Sequence, residues 1–420
     1  MSQALPHAHG SVVGRVLVPA SKSETNRALV LAALADGPSV LTGVLQSRDS
    51  DLMIDALAKL GSSFERLAAD TFRVTPPATP QAAAGPIDCG LAGTVMRFIP
   101  PIAALASGTT EFRGDPHASQ RPMAGLLAGL RQLGATVDAD RLPFALTGPL
   151  TGADEVVVDS SETSQYVSGL LLIASFMPNG LTIRHEGTRL PSRPHISMTV
   201  EMLRRRGVTV EEPDASTWVV QPGVISGLDQ HIEPDLTNAS VFLSAAVVTS
   251  GSVTVPGWPA ESLQPGARYL DIVERMGATV ERSSGSVTVK GPKDLHPIDV
   301  DLSMASELTP VVAALAASAA GRSTISGVAH IRGHETDRLK ALVHELNALG
   351  IPAQETDDGL VIAGGGGRAE QPFETYADHR MVHAAAILAL RIPDLAVTDL
   401  ECVGKTMPDF ESRWRGLVAI

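Results

Sequence analysis

Two patterns of apolar and polar positions alternate along the 420-residue chain. The first is an apolar run of helical length that ends in a small turn and leads into a strand of alternating character. It recurs as Leu29–Gly37 then SVLTGV, Ile102–Gly108 then TTEFRG, and Leu170–Gly180 then LTIRHEG. It continues as Val241–Gly251 then SVTVPG, Val311–Gly321 then RSTISGV, and Ala384–Pro393 then DLAVTDL. The turn residues lie about 70–72 positions apart, a spacing that signals repeated supersecondary units. The second pattern is a helix end, a glycine and a short strand: LAKLGSSF, LRQLGATV, LRRRGVTV, VERMGATV and LNALGIPA. Its glycines, Gly61, Gly134, Gly207, Gly277 and Gly350, are about 70–73 apart and interleave with the first series. Glycine closes a helix there because it enters the left-handed region without strain.

Each unit therefore reads as strand, helix, strand, helix and one or two short strands, and six units fill the chain. The class is α/β, and two sets of three units make two domains, as the length also suggests. The break between units three and four falls near Pro222–Asp235. The expected domains are 20–231 and a discontinuous second one, 1–19 with 232–420. The sixth unit is expected to lack its last helix and strand, with the N-terminal strand Gly10–Pro19 completing that domain. The first helix of each unit is apolar nearly all round (LVLAALA, GLLLIASF, VVAALAASAA), so these helices should be buried with sheets outside them.

The composition narrows the function classes. A formal net charge of −13 disfavours nucleic acid or an anionic membrane as the main partner, but it leaves room for a local cationic cleft. Cys89 and Cys402, the only cysteines, have no metal or disulfide spacing. No basic-then-apolar leader stands at the start, and apolar runs such as Val311–Ala320 are too short to span a bilayer. A reduced, cytoplasmic setting is the expectation. Aromatic residues make up only 4%, so Ala, Val, Leu and Ile must supply the packing.

Polar chemistry gathers at the starts of the buried helices. Helix one begins Ser21-Lys22-Ser23-Glu24-Thr25-Asn26-Arg27, helix two Ala92-Gly93-Thr94 with Arg97 a turn later, and helix three Thr163-Ser164-Gln165. Helix four follows Asp235 and includes Asn238 and Ser240, helix five begins at Glu307, and helix six at Asp378-His379-Arg380. A helix start is an anion site before any side chain is added. Ser, Thr and Asp there also read as simple N-caps. Lys22, Arg27 and Arg380 do not, because the helix dipole disfavours cations at that end. The second helices add Arg121, Ser192, Lys405 and the segment His334-Glu335-Thr336-Asp337-Arg338, in which His334 and Arg338 fall on one helical face. For Arg338, a pair with the nearby Glu335 or Asp337 weighs evenly with a substrate contact.

The segments SKSETNR, LAGTVMR, QRPM, TSQY, HETDRL, DHRM and KTMPDF occur in this order across the whole chain. Together they resemble the 5-enolpyruvylshikimate-3-phosphate synthase family. The resemblance implies an inside-out two-domain fold of six βαβαββ repeats with the active site in the interdomain cleft. It also implies transfer of the enolpyruvyl group of phosphoenolpyruvate to the 5-hydroxyl of shikimate 3-phosphate, without metal or other cofactor, by a monomer. By the same resemblance, Lys22, Ser23, Arg27, Thr163, Ser164, Gln165, Ser192, Glu307, His330 and His334 contact shikimate 3-phosphate, held mainly by residues 20–231. Lys22, Gly93, Arg97, Arg121, Gln165, Arg338, His379, Arg380 and Lys405 contact phosphoenolpyruvate. Lys22, Glu307 and Glu335 are catalytic, Glu307 as base on the hydroxyl and Glu335 as acid on the methylene carbon.

Several positions depart from the family's commonest residues: Leu91 for Asn, Thr163 for Ser, His195 for Tyr, Glu307 for Asp, His330 for Asn and His334 for Lys. His334 places a group titrating near neutrality where a fixed cation is usual, so substrate affinity is expected to fall as pH rises. The nearest alternative, an amino-sugar enolpyruvyl transferase, usually carries Lys-Asn where Lys22-Ser23 stands, and a cysteine in the loop matching Arg113–Arg121, which has none here. A non-catalytic repeat scaffold would leave the cations at helix starts unexplained.

Overall fold

A computed structural model describes residues 2–418 and every side chain among them except that of Lys405. The chain forms two compact units, one from Ala20 to Ile232, the other from the residues up to Pro19 together with those from Glu233 onward. Each has its own apolar core.

The unit Ala20–Ile232 contains six helices: α1 (Lys22–Ala33), α2 (Arg48–Lys59), α3 (Gly93–Ala103), α4 (Ala124–Gln132), α5 (Gln165–Ile173) and α6 (Arg193–Arg204). The other contains α7 (Leu236–Thr249), α8 (Tyr269–Arg275), α9 (Thr309–Ser318), α10 (Arg338–Ala348), α11 (His379–Ala389) and α12 (Phe410–Val418). The odd-numbered helices are the apolar runs of the first pattern. Every residue of α3 and α11 is buried, as are nearly all of α7 and α9. The even-numbered helices are amphipathic and bury one face, as α2 does through Met53, Ala56 and Leu57. Small side chains let the buried helices approach closely. A Cβ at Gly169 of α5 would lie 2.4 Å from the Arg97 carbonyl of α3, so only glycine fits there.

Each four-stranded sheet repeats one topology. In the second repeat the spatial order is Ile87–Asp88, Gly108–Arg113, Phe144–Gly148 and Thr136–Val137, the first pair parallel and the others antiparallel. The parallel pair is joined through buried α3, which makes the repeat βαβαββ. The five interleaved glycines all have positive φ, from 75° at Gly350 to 102° at Gly61, and each follows an even-numbered helix.

Two sheets borrow their first strand from distant sequence. Gln230–His231 pairs in parallel with Ser39–Thr42, and Val13–Arg15 pairs in parallel with Ser252–Pro256. The N-terminal strand thus completes the fourth repeat. In the sixth, Ser2–Ala4 pairs antiparallel with Ala396–Thr398. The expectation that the sixth unit lacks its last helix is corrected, because α12 is that helix and buries Phe410, Trp414 and Leu417. Its apolar residues are few but bulky, and Phe410 stacks on Trp414 at 5.8 Å. No helix among the described residues is long and apolar enough to cross a membrane.

Candidate active site

In the unit Ala20–Ile232, the starts of α1, α3 and α5 converge. Asn26 Nδ2 donates to Thr94 Oγ1 at 2.5 Å, tying α1 to α3. Ser21 caps α1 by accepting from the Glu24 amide. Lys22 Nζ lies 3.1 Å from the buried Asp49 carboxylate at the start of α2. Arg97, 2% exposed, donates to the Pro122 carbonyl at 2.6 Å, and Arg121 donates to the Leu91 carbonyl at 2.9 Å. The two guanidinium groups meet at Gly93, where a Cβ would lie 2.8 Å from Nη2 of Arg121 and 3.1 Å from Nη1 of Arg97. Arg121 has no carboxylate partner among the described residues, so this corner is electropositive. Arg121 Nε and Gln165 Oε1 are buried and have no hydrogen-bond partner in the protein. Buried polar atoms are nearly always satisfied, so these two are available to a polar ligand or to water.

Arg27 is placed differently from the other cations. Its Nε donates to Thr199, Nη1 to the Ser23 carbonyl, and Nη2 to Ser168 and the His195 carbonyl. Four of its five donors thus serve the protein. Its guanidinium also lies 5.1 Å from the Phe98 ring centroid. Burial pushes its pKa down to about 9. The charge of Arg27 thus rests mostly on oxygen dipoles of the protein, with one N–H left over. Thr163 accepts from the Gln165 amide at 3.3 Å, Ser164 is buried beside it, and Ser192 precedes α6 with φ of 49°.

The other unit gathers a denser set. Asp378 caps α11 by accepting from the Arg380 amide at 2.8 Å, and it holds Arg338 through Nε at 2.8 Å and Nη2 at 3.1 Å. Arg338 also donates to Glu307 at 3.0 Å, Glu335 at 2.9 Å and His334 Nδ1 at 2.9 Å. Of the two expected carboxylates, Glu335 is thus a partner, whereas Asp337 instead caps α10 and pairs with Arg332. Arg380 reaches Glu307 through Nε at 3.4 Å and Asn238 of α7 through Nη1 at 3.3 Å. His330 is bonded to Ser306 at 2.9 Å, and His379 Nδ1 lies 3.7 Å from Asp378. Two helix starts differ from expectation: α9 begins at Thr309, leaving Glu307 in a short 3-10 turn, and α10 begins at Arg338, leaving His334 in the preceding loop. Proline at position 310 suits a first helical turn, and Asp337 supplies the cap. The side chain of Lys405 lies outside the described residues.

The charges in this cluster follow from its geometry. Burial alone would push the Glu307 carboxyl up, but the guanidinium of Arg338 foremost, with that of Arg380, outweighs it and holds the group well below the usual carboxylate range. Burial, only partly opposed by Glu307, pushes His334 down to about 3. Arginine can only donate, so the bond from Arg338 independently fixes His334 Nδ1 as an acceptor. Both observations run against the expected titration of His334 near neutrality: its pKa is pushed down, and Nδ1 as an acceptor goes with the uncharged ring.

The partnerships of Asp49 and Asp378 with cations are not legible in the sequence. Asp49 reads as an ordinary acidic residue in a first helical turn, 27 positions from its partner Lys22. Asp378 reads as an N-cap, and nothing in the local pattern connects it with Arg338, 40 positions away.

The family profile for EPSP synthase (3-phosphoshikimate 1-carboxyvinyltransferase) matches residues 6–414. The 3-phosphoshikimate 1-carboxyvinyltransferase of Mycobacterium ulcerans (strain Agy99) is 47% identical, with 98% of this chain and 97% of the relative covered. The enzyme of that name from Kocuria rhizophila is 49% identical, with coverages of 98% and 96%. A solved EPSP synthase from Acinetobacter baumannii superposes with a TM-score of 0.82 at 24% identity, covering 99% of this chain and 98% of its own, which carries the likeness of fold. With a family match spanning both units and all six repeats, the chain belongs to the EPSP synthase family.

Proposed function

We propose that the chain is a 3-phosphoshikimate 1-carboxyvinyltransferase, moving the enolpyruvyl group of phosphoenolpyruvate to the 5-hydroxyl of shikimate 3-phosphate in aromatic amino acid biosynthesis. The observation that carries the reading is the placement of two carboxylates, Glu307 and Glu335, on the guanidinium of Arg338, with Arg380 beside Glu307. Enolpyruvyl transfer needs an acid and a base acting together on a substrate that carries both a phosphate and a carboxylate. Arginine matches either anion bidentately.

In this reading Glu307 takes the proton from the 5-hydroxyl as its oxygen bonds to C2 of phosphoenolpyruvate, and Glu335 gives a proton to C3. The product of addition is a tetrahedral intermediate. Loss of a proton from the new methyl group and cleavage of the C2–O bond to phosphate then restore the double bond. Arg338 and Arg380 take phosphoenolpyruvate, with His379 and Lys405. Lys22, Gly93, Arg97, Arg121 and Gln165 complete the binding of this substrate. Ser23, Arg27, Thr163, Ser164, Ser192, His330 and His334 hold shikimate 3-phosphate together with Lys22, Gln165 and Glu307. Arg27 has one N–H left for that role.

Glu307 has a second duty here. The free carboxylate is a weak base because the two arginines hold it ionised. An anion that takes those arginines removes the positive field from Glu307 and raises its proton affinity when the hydroxyl is in place. The enzyme is proposed to work in the cytoplasm as a monomer.

The experiment is phosphate release from phosphoenolpyruvate with shikimate 3-phosphate or an amino-sugar nucleotide as acceptor. Release only with shikimate 3-phosphate supports the reading, and release only with the nucleotide overturns it.

A further inference from the structure

Two consecutive residues leading into Asp378 occupy the left-handed backbone region, Tyr376 at φ 54° and Ala377 at φ 53°. For residues with a side chain this costs roughly 1–2 kcal/mol each, so the surroundings must hold the conformation in place. The hold comes from α10. Glu345 lies on that helix seven residues after Arg338 and is 2% exposed. Its Oε1 accepts from the Tyr376 hydroxyl at 2.7 Å, and its Oε2 accepts from the Glu374 amide at 3.0 Å. Glu374 in turn accepts from the Tyr376 amide at 3.2 Å and from Thr398 at 2.8 Å, and Thr398 accepts from the Thr375 amide at 3.1 Å. The segment 374–378 is thus gripped by α10 at two places about two helical turns apart: Glu345 holds Glu374 and Tyr376, and Arg338 holds Asp378.

We propose that Glu345 and Tyr376 are positioning residues for the phosphoenolpyruvate cations, fixing the left-handed turn so that Asp378 presents Arg338 and Arg380 in one register. The geometry leaves few alternatives. Asp378 bonds both the Arg338 side chain and the Arg380 amide, so any shift of the segment along α10 moves both arginines together. A buried carboxylate with no arginine or lysine partner, as Glu345 is among the described residues, is costly unless its bonds do something for the fold or the site. His344, its only ion-pairing neighbour among the described residues, is 64% exposed. Burial and the bond to Glu345 push the Tyr376 phenol above its ordinary range, so it stays a donor across the working pH range.

This inference rests on the proposed assignment of Arg338 to phosphoenolpyruvate, and the experiment separates the two. Tyr376→Phe removes the donor and keeps the ring. It should raise KM for phosphoenolpyruvate about tenfold, the worth of one hydrogen bond to a charged group, and change KM for shikimate 3-phosphate less than twofold. Glu345→Gln should show the same selectivity. In an Arg338→Lys background, Tyr376→Phe should add little, because it acts through the missing guanidinium. A fall in melting temperature with both KM values unchanged, equal rises in both, or full additivity with Arg338→Lys would overturn the inference. An Arg338→Lys enzyme with unaltered KM for phosphoenolpyruvate would overturn the site assignment and this inference with it.

Discussion

Glu307 lies between Arg338 and Arg380, with its Oε2 3.0 Å from Nη1 of the first and 3.4 Å from Nε of the second. The carboxylate occupies one side of each guanidinium and retains 28% exposure. An anionic substrate drawn to the same arginines therefore meets an internal competitor that is also the proposed base. On the proposed roles, binding and proton transfer are coupled through this one side chain.

That coupling sets a sharp expectation for Glu307→Gln. Turnover should drop by about two to four orders of magnitude, as expected for a lost general base. Phosphoenolpyruvate should bind at least as tightly as before, because the competing charge is gone. Steady-state kinetics with a direct binding measurement checks both halves. Near-normal turnover would move the base elsewhere, and weaker binding would contradict the competition.

Asp378→Asn tests the anchor of the cluster. The amide still accepts from the Arg380 backbone, but Arg338, 1% exposed, loses its bidentate carboxylate. Breaking a buried ion pair costs on the order of 3 kcal/mol, here lessened by Glu307 and Glu335 on the same guanidinium. Urea unfolding should report the loss and kinetics a raised KM for phosphoenolpyruvate. An unchanged midpoint would show that the other two carboxylates suffice.

Gly93→Ala separates site geometry from folding. The atoms nearest the added methyl group are the ends of the Arg121 and Arg97 side chains, and α3 tolerates alanine. The melting temperature should stay within a few degrees while KM for phosphoenolpyruvate rises severalfold. Equal KM values for the variant and the parent would remove the Arg97–Arg121 corner from the binding site.

Acid should weaken the unit that contains α7–α12. His334 is pushed down to about 3 from an ordinary 6.5, and the fully buried His383 is pushed well below 6.5 by burial together with Arg380 and Arg338. Below pH 6.5 the unfolded chain binds protons that the folded chain refuses, so stability falls as pH drops from 6.5 towards 3. Each histidine contributes a slope of up to about 1.4 kcal/mol per pH unit. Glu307 acts in the same direction at lower pH, since its stabilising charge is complete above 4.5 and lost as pH falls through its depressed value. Urea midpoints measured from pH 7 to 4 should show a shallower slope in His334→Gln. Identical slopes would mean that His334 is not held neutral.

Much of the site was legible in the sequence because helix starts and their residues are local. The rhythm of about 70–72 residues sets Lys22, Gly93, Gln165, Asn238 and Arg380 at or near helix starts. Partnerships were less accessible. Lys22 with Asp49, and Arg338 with Asp378, join residues that lie 27 and 40 positions apart on different helices, the first pair within one repeat and the second between repeats, and only packing brings them together.

The sequence by itself determined the repeat, the buried character of the odd-numbered helices and the glycine caps, since periodicity and backbone freedom act over a few residues. Tertiary structure alone decided that α12 supplies the second helix of the sixth repeat, that most donors of Arg27 serve protein oxygens, and that burial pushes the pKa of His334 down. Those outcomes depend on which charges and dipoles surround a group once water is excluded. Coulomb energies in a buried cluster are set by three-dimensional distance, which the order of residues along the chain does not encode.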